Sequence, residues 1–176
     1  MTRSTRILIN CCLLLMVVSG CYRSVQNSTS ESATTPEGLK ITSESVVSAA
    51  VKEVEVPAGG SAEAVVRVTV QNGYHINANP PTYPYLKATE LELAGTDGLS
   101  VGFIRYPDPL TKKFGFAEKP LAVYEGEVLL KVFLNAAKSA KQGKQSFAGK
   151  LRIQACDEQV CYPPGSKEIV IPVLIK

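Results

Sequence analysis

The sequence is poor in the side chains that build metal sites: its 176 residues include one histidine and two methionines, and it has no tryptophan. His75, Cys156 and Cys161 are the one conceivable set of soft ligands, and without a second histidine they argue against a bound metal. A strong charge of one sign is also missing. Nineteen Lys and Arg against 16 Asp and Glu give a net charge of +3, which excludes a chain built to coat nucleic acid. Nucleophile motifs of the Gly-x-Ser-x-Gly type and phosphate-binding glycine loops are absent too.

The amino-terminal apolar run is too short to cross a bilayer. It covers residues 7–18, whereas a transmembrane helix needs roughly twenty residues. Arg3 and Arg6 precede it, and Ser19 and Gly20 follow it. A positive start, an apolar centre and small residues before a cleavage point are typical of a secretory signal peptide, which we expect over residues 1–20.

Cys21 comes directly after the small residues. The stretch Val18-Ser-Gly-Cys21 resembles the lipobox of bacterial lipoproteins, in which the thiol is acylated and becomes the new first residue. Several acyl chains on one cysteine hold a protein firmly at a membrane surface. The resemblance implies an exported, lipid-anchored protein that faces the periplasm, and Tyr22 slightly favours the outer membrane. A plain secretory signal followed by an accidental cysteine is the alternative.

The next segment, residues 21–37, has almost nothing apolar to bury and is rich in serine and threonine. Such a composition is typical of a flexible tether. The remaining length, residues 38–176, is enough for one domain with a single core. We see no internal repeat and no second domain.

From residue 39 onward, apolar residues recur mostly with period two, the spacing of strands with one buried face. The alternating sets are Val66, Val68 and Val70; Leu91 and Leu93; Val128, Leu130, Val132 and Leu134; Leu151, Ile153 and Ala155; and Ile169, Ile171, Val173 and Ile175. Turn signals such as Asn72-Gly73 and Asp97-Gly98 separate them. The pattern predicts an all-β fold, an immunoglobulin-like antiparallel β-sandwich. Residues 134–145 contain good helix formers and are expected to allow a helical turn.

The five cysteines divide into three groups. Cys11 and Cys12 lie in the signal peptide and would leave with it, and Cys21 is the expected lipid anchor. Cys156 and Cys161 remain, and in an exported protein they can pair. Closing a loop of about six residues constrains the unfolded chain by only roughly 2 kcal/mol, against nearly 5 kcal/mol for about one hundred residues. Short, exposed bridges are the more exchangeable ones, but small secreted domains also carry structural hairpin disulfides, so both roles stay open.

The residues around the pair bear on its reactivity. A Cys-x-x-Cys motif at a helix start, which lowers a thiol pKa, is absent. Asp157 and Glu158 place negative charge between the sulfurs and disfavour a thiolate, although a solvated turn is the plainer interpretation of both. Tyr162 abuts Cys161 and can pack beside its sulfur. Pro163 and the proline after it hold the chain extended.

The string from Gln154 to Pro164, Gln-Ala-Cys-Asp-Glu-Gln-Val-Cys-Tyr-Pro-Pro, resembles the active-site segment of the amino-terminal domain family of the thiol:disulfide interchange protein DsbD. Upstream features agree in order: Gly73-Tyr-His-Ile-Asn77 before a proline-rich loop, Tyr106-Pro107, Phe114-Gly115-Phe116 and Tyr124-Glu125-Gly126. The similarity covers about residues 40–176, and Cys-x4-Cys-Tyr-Pro-Pro is its specific element.

The resemblance implies an immunoglobulin-like component of a thiol-disulfide oxidoreductase system, of the kind used in cytochrome c biogenesis, with no cofactor beyond its own sulfurs. Electrons would come from a thioredoxin-like partner, supplied by a membrane-embedded thiol reductase, and pass to exported disulfide-containing proteins. By this resemblance Cys161 forms the mixed disulfide and Cys156 resolves it. The segment Lys113-Phe114-Gly115-Phe116 matches the cap loop that shields the pair. We expect a monomer that binds no nucleic acid.

Two features depart from the best-known members of the family. Those members have one more residue between the cysteines, and they have acidic residues before the cap aromatic, where this chain has Lys112 and Lys113. Partner choice and redox potential depend on both features. The sequence carries no transmembrane or thioredoxin-like portion, so we expect separate proteins to supply them. The alternative function is a non-catalytic immunoglobulin-like lipoprotein that binds a protein partner and has a structural disulfide.

Overall fold

Twelve β-strands make up the regular structure of residues 40–176, the part of the chain that the computed structural model describes. They are β1 (Val47–Val51), β2 (Val54–Val56), β3 (Ser61–Val70), β4 (His75–Asn77), β5 (Glu90–Leu93), β6 (Leu99–Arg105), β7 (Leu110–Lys112), β8 (Leu121–Tyr124), β9 (Glu127–Ala136), β10 (Gly143–Ile153), β11 (Ala155–Cys156) and β12 (Gly165–Ile175). Within this range no helix is long and apolar enough to cross a membrane. The expected signal peptide, tether and lipid anchor at Cys21 lie outside the described residues.

The first sheet has the strand order β1-β3-β9-β6 and is antiparallel throughout. Its long central strands show the alternation that the sequence predicts, because every second residue of β3 and β9 is buried. Val66 pairs with Leu130 and Val68 with Val128, so the buried side chains form matching rows on one face.

The second sheet has the order β2-β12-β10-β5. β10 and β12 pair along their full length, from Gly143 opposite Ile175 to Ile153 opposite Gly165. β2 joins the free edge of β12 in parallel. Phe147 of β10 and Ile171 of β12 are opposite each other and fully buried.

The two sheets enclose a common core and have an immunoglobulin topology. The orders β1-β3-β9-β6 and β5-β10-β12 correspond to the ABED and CFG sheets of that fold. One hydrophobic cluster contains buried residues of both sheets, including Val66, Leu130, Phe147 and Ile171. The predicted immunoglobulin-like antiparallel β-sandwich is therefore confirmed.

A third, smaller sheet has the order β11-β4-β8-β7 and was not predicted from the sequence. Its strands come from three connections of the sandwich: β4 follows β3, β7 and β8 lie between β6 and β9, and β11 follows β10. Because β3, β6 and β10 all end at the same end of the sandwich, these connections meet there and pair with one another. The cysteines belong to this end of the molecule.

The helical turn expected within residues 134–145 does not form. β9 continues to Ala136, a tight turn follows at residues 138–139, and β10 begins at Gly143. Leu134 and Ala136 are buried and pair with β6, and the Ala137 amide donates to the carbonyl of Gly98 at 2.8 Å. Pairing in the sheet thus overrides the local helix preference, as tertiary contacts often do.

Candidate active site at the disulfide

Cys156 and Cys161 form a disulfide where the chain turns back on itself. Cys156 is the last residue of β11, and Cys161 pairs with it as an isolated antiparallel bridge, with the Cα atoms 3.9 Å apart. The pairing expected from the sequence is therefore confirmed. Cys156 is fully buried and Cys161 is half-buried, so the two residues differ in their access to solvent.

Asp157 shapes the loop between the two cysteines. Its amide donates to the Val160 carbonyl at 2.9 Å. Its carboxylate Oδ1 accepts from the amides of Gln159 at 2.7 Å and Val160 at 2.8 Å. Aspartate side chains commonly stabilise turns in this way. Glu158 is exposed at the tip of the loop, as expected for a solvated turn residue. Asp157, by contrast, stabilises the turn through its hydrogen bonds.

The second carboxylate oxygen of Asp157 connects the loop to Tyr162. The Tyr162 hydroxyl donates to Oδ2 at 2.6 Å, and this hydrogen bond raises the pKa of Tyr162 to about 12. The hydrogen bond from the Tyr162 hydroxyl has the largest effect in lowering the pKa of Asp157, and the amides of Gln159 and Val160 lower it further. Asp157 therefore stays ionised at neutral pH, and both of its oxygens are occupied. The Tyr162 ring is 6.1 Å from that of Tyr74.

Ser43 joins the two segments that carry the cysteines. Its hydroxyl donates to the Pro163 carbonyl at 2.6 Å and accepts from the Ala155 amide at 3.0 Å. Ser43 is fully buried. It lies more than one hundred positions before the cysteines. The sequence did not predict its role, because a single serine before the first strand belongs to no motif or periodic pattern.

The side chain of Gln154 holds the start of β11 in place through hydrogen bonds. Its side-chain carbonyl accepts from the Asn77 amide group at 3.1 Å and from the Lys87 backbone amide at 2.9 Å. Its side-chain amide donates to the Tyr162 carbonyl at 3.3 Å. The active-site segment is thus held by β4, by the loop before β5 and by its own far end.

The segment expected to be a cap follows β7. Phe114 is buried and stacks on His75 with ring centroids 4.1 Å apart, while Phe116 is 5.5 Å from Phe114 and remains exposed. The Lys113 ammonium donates to the carbonyls of Ala117 at 2.7 Å and Glu118 at 2.6 Å, which closes the loop on itself. The exposed Gly115 between the aromatics has open space beside it.

An aromatic groove of about 370 Å³ adjoins Cys161. Phe116 and Val160 contribute to its lining, as do Tyr83 and Tyr85, whose rings stack with centroids 5.1 Å apart. Of the predicted cap residues, Phe116 is the one that shares this groove with Cys161, whereas Phe114 packs into a small buried cluster. Tyr83 and Tyr85 were not singled out from the sequence, since tyrosines in a proline-rich loop carry no specific signal.

His75 lies opposite Cys156 in the register of β4 and β11. It is almost completely buried, and its Nε2 atom has no hydrogen-bond partner. Burial lowers the pKa of His75, and this effect outweighs the nearby carboxylates, of which Glu125 is the strongest. The imidazole is therefore neutral at neutral pH.

Lys112 and Glu125 form a salt bridge of 2.6 Å beside the cap, and the Lys112 ammonium is 6.0 Å from the centre of the Phe114 ring. Lys112 and Lys113, the residues expected to depart from the family pattern, therefore both have partners within this chain. Among residues 40–176, no group of three or more His, Cys, Asp or Glu side chains is arranged to hold a metal ion.

Comparison with known proteins assigns the family. The family described as "Thiol:disulfide interchange protein DsbD, N-terminal" matches residues 43–172. Among solved structures, the amino-terminal domain of Neisseria meningitidis DsbD in the reduced form is 21% identical, with a TM-score of 0.45, over 73% of this chain and 86% of that chain.

The amino-terminal periplasmic domain of ScsB from Proteus mirabilis is 17% identical, with a TM-score of 0.49, over 71% of this chain and 44% of that chain. No curated protein sequence matches significantly. The family match spans most of the chain and both cysteines. The chain therefore belongs to the DsbD amino-terminal domain family of thiol:disulfide interchange proteins.

Proposed function

We propose that this protein relays reducing equivalents to exported disulfide-containing proteins by exchange at the Cys156–Cys161 pair. The observation that carries the proposal is a disulfide with one buried and one half-buried cysteine, beside an aromatic groove, in a chain of this family. A disulfide needed only for stability would gain more from closing a longer loop. The reaction needs no cofactor beyond the two sulfurs.

The accessible residue, Cys161, is the one that forms the mixed disulfide. A thiolate of the electron donor attacks Cys161 Sγ, and Cys156 leaves as a thiolate and is protonated. The donor's second thiol then attacks its own sulfur in the mixed disulfide, which releases the reduced protein and the oxidised donor. Reduction of a downstream protein follows the same steps in reverse, with Cys156 as the resolving thiol.

A thioredoxin-like protein fits the groove beside Cys161 as an exchange partner. Exchange requires the partner's sulfur to approach along the line of the disulfide, and the groove gives it a predominantly apolar surface next to Cys161. Phe116 and Tyr85 are exposed, so their burial on docking contributes to binding. A membrane-embedded thiol reductase would keep the thioredoxin-like donor reduced.

Cysteine-to-serine variants test the proposed roles. In Cys156→Ser, Cys161 cannot be resolved, so mixed disulfides with partners should accumulate on a non-reducing gel from the parent cell. Cys161→Ser is the matched control and should trap none, because its remaining cysteine is buried. Absence of trapped species from both variants would remove the support for exchange through Cys161.

The reduction potential separates this function from a purely structural disulfide. An exchangeable bridge should be reduced by a thioredoxin, whereas a structural one typically has a potential below about −300 mV. A potential in that range, together with no reduction by thioredoxin, would favour the alternative of a non-catalytic binding protein.

For the amino terminus, we propose a signal peptide over residues 1–20, a lipid anchor on Cys21 and a tether to residue 37, which would place the domain in the periplasm. The support is the lipobox-like Val-Ser-Gly-Cys stretch. Cys21→Ala should abolish lipid labelling and release the protein from membranes. Cys12→Ala, a change within the removed signal, is the control and should remain anchored. Membrane retention of Cys21→Ala would contradict the anchor.

A further inference from the structure

His75 has a buried nitrogen without a partner, and it lies next to a reactive cysteine. Nε2 is shielded from solvent and makes no hydrogen bond. His75 and Cys156 are paired across β4 and β11, so their side chains extend from the same face of the small sheet, with Cβ atoms about 5 Å apart. The stacked ring of Phe114 fixes the plane of the imidazole. Buried polar atoms normally make hydrogen bonds, so the missing partner of Nε2 needs a physical explanation.

In the oxidised protein the cysteine pair offers His75 no hydrogen-bond donor. A disulfide has no S–H group, so Cys156 cannot donate to the side chain paired with it across the sheet. Reduction gives Cys156 a thiol, which is a donor, at the position across the sheet from His75. In the reduced form, the imidazole therefore has an unpartnered nitrogen and faces a thiol donor across the sheet.

The buried thiol of Cys156 needs an internal base. Burial away from charge raises a thiol pKa, yet the attacking species in exchange is the thiolate. Cys156 is fully buried, so bulk water does not reach it. Asp157 is a poor base, because the hydrogen bonds to its two oxygens lower its pKa. Asn77, the other buried polar residue with an unpartnered atom, has an amide that does not titrate.

The charges around His75 keep its imidazole available. Burial lowers its pKa, while Glu125 after β8 and the loop residues Glu158 and Asp157 raise it, and Lys112 of β7 lowers it. The balance leaves a neutral imidazole at neutral pH, and the carboxylates stabilise the cation once a proton arrives. A base must be unprotonated before it acts, and His75 meets that condition.

We propose that His75 is the proton acceptor for Cys156 in the resolving step, an inference that rests on the exchange function proposed above. In the mixed disulfide, the Cys156 thiol proton moves to His75 Nε2. The thiolate attacks Cys161 Sγ, the Cys156–Cys161 bond forms, and the bond from Cys161 to the client sulfur breaks. The client leaves as a thiolate and takes the proton from the imidazolium. The protein is oxidised by two electrons and the client disulfide is reduced.

The test uses the disulfide reagent DTNB and the mature chain with Cys21→Ser, so that Cys156 and Cys161 are its only thiols. The reduced protein should release one thionitrobenzoate as Cys161 reacts and a second as Cys156 closes the ring. In His75→Phe, which keeps a ring stacked on Phe114 but has no base, we expect the second phase at neutral pH to slow by at least about tenfold. The first phase should stay within about twofold of the parent protein.

The pH profile distinguishes a base from a packing residue. In the parent protein the second phase should level off above the His75 pKa, whereas in His75→Phe it should keep rising beyond the ordinary thiol pKa of about 8.5, because burial raises the pKa of Cys156. His75→Gln, which stays polar but does not titrate, should behave like His75→Phe. Glu125→Gln removes a carboxylate that raises the His75 pKa and should move the inflection to lower pH.

The outcomes separate the two proposals. If both His75 variants keep the parental second phase and pH profile, His75 is not the base, while the exchange function stands. If the parent protein fails to release the second thionitrobenzoate, ring closure does not occur, and the exchange function fails together with the inference. Circular dichroism melts of the oxidised variants check that each is folded, and a variant that does not fold is replaced by the other one.

Discussion

Replacing Ser43 by alanine tests the tertiary support of the active site. The change removes one hydroxyl that joins Ala155, next to Cys156, to Pro163, two residues after Cys161. Ala155 of β11 is fully buried and pairs with Ile76 of β4. Its amide donates to the Ser43 hydroxyl and not to β4. In Ser43→Ala that amide is left without its partner.

The structure sets the size of the effect. Loss of a hydrogen bond costs about 1 kcal/mol, and a buried amide left unpaired costs about 1–3 kcal/mol, because it was removed from water without compensation. Pro163 is exposed, so water can replace the hydroxyl at its carbonyl. We therefore expect Ser43→Ala to lose about 2–3 kcal/mol of unfolding free energy. For a domain of this size, that is a fall in Tm of about 6–9 °C.

The assay is urea unfolding of the oxidised protein followed by circular dichroism, since the chain has no tryptophan. Ser45→Ala is the matched control. The Ser45 hydroxyl also makes two hydrogen bonds, both to the backbone of Thr42, but it is exposed, so we expect a loss below about 0.5 kcal/mol. Equal losses in the two variants would refute the argument that burial makes the Ser43 contact strong.

Three further predictions concern the loop, the cap and the core. The hydrogen bond to Asp157 raises the pKa of Tyr162 to about 12, so its stabilising effect is fully present below about pH 10 and is lost as the pH rises through the folded-state value. The urea midpoint of the parent protein should therefore fall at alkaline pH, and Tyr162→Phe should reduce that fall. Lys113→Met removes two hydrogen bonds to cap carbonyls and should speed amide exchange over residues 114–118; unchanged exchange would contradict its role in closing the loop. Phe147→Ala should cost about 3–5 kcal/mol in urea unfolding, because the ring is fully buried, whereas the exposed Val170→Ala should cost less than about 0.5 kcal/mol; similar losses would contradict the placement of the core.

Local pattern identified much of the sandwich. Alternation at Val66, Val68 and Val70 placed the inner face of β3 correctly, because a half-buried strand must alternate in polarity. Helix-forming composition was the wrong guide near Asn135, where pairing with β6 and β3 takes the residues into β9. Ala155 was predicted as the end of the β10 face, but Gln154 interrupts it and β11 joins a different sheet.

The sequence by itself determined the strand periodicity and the pairing of Cys156 with Cys161, because these depend on residues close together in the chain. It also identified the immunoglobulin-like class and the family, through the number of alternating segments and the order of motifs along the chain. Only the tertiary structure decided that Ser43 joins the two cysteine segments and that His75 lies opposite Cys156. Those contacts arise where three connections of the sandwich meet and pair, and no local periodicity specifies which loops will meet. The chemistry of the pair therefore depends on residues that are distant in sequence and that the fold brings together.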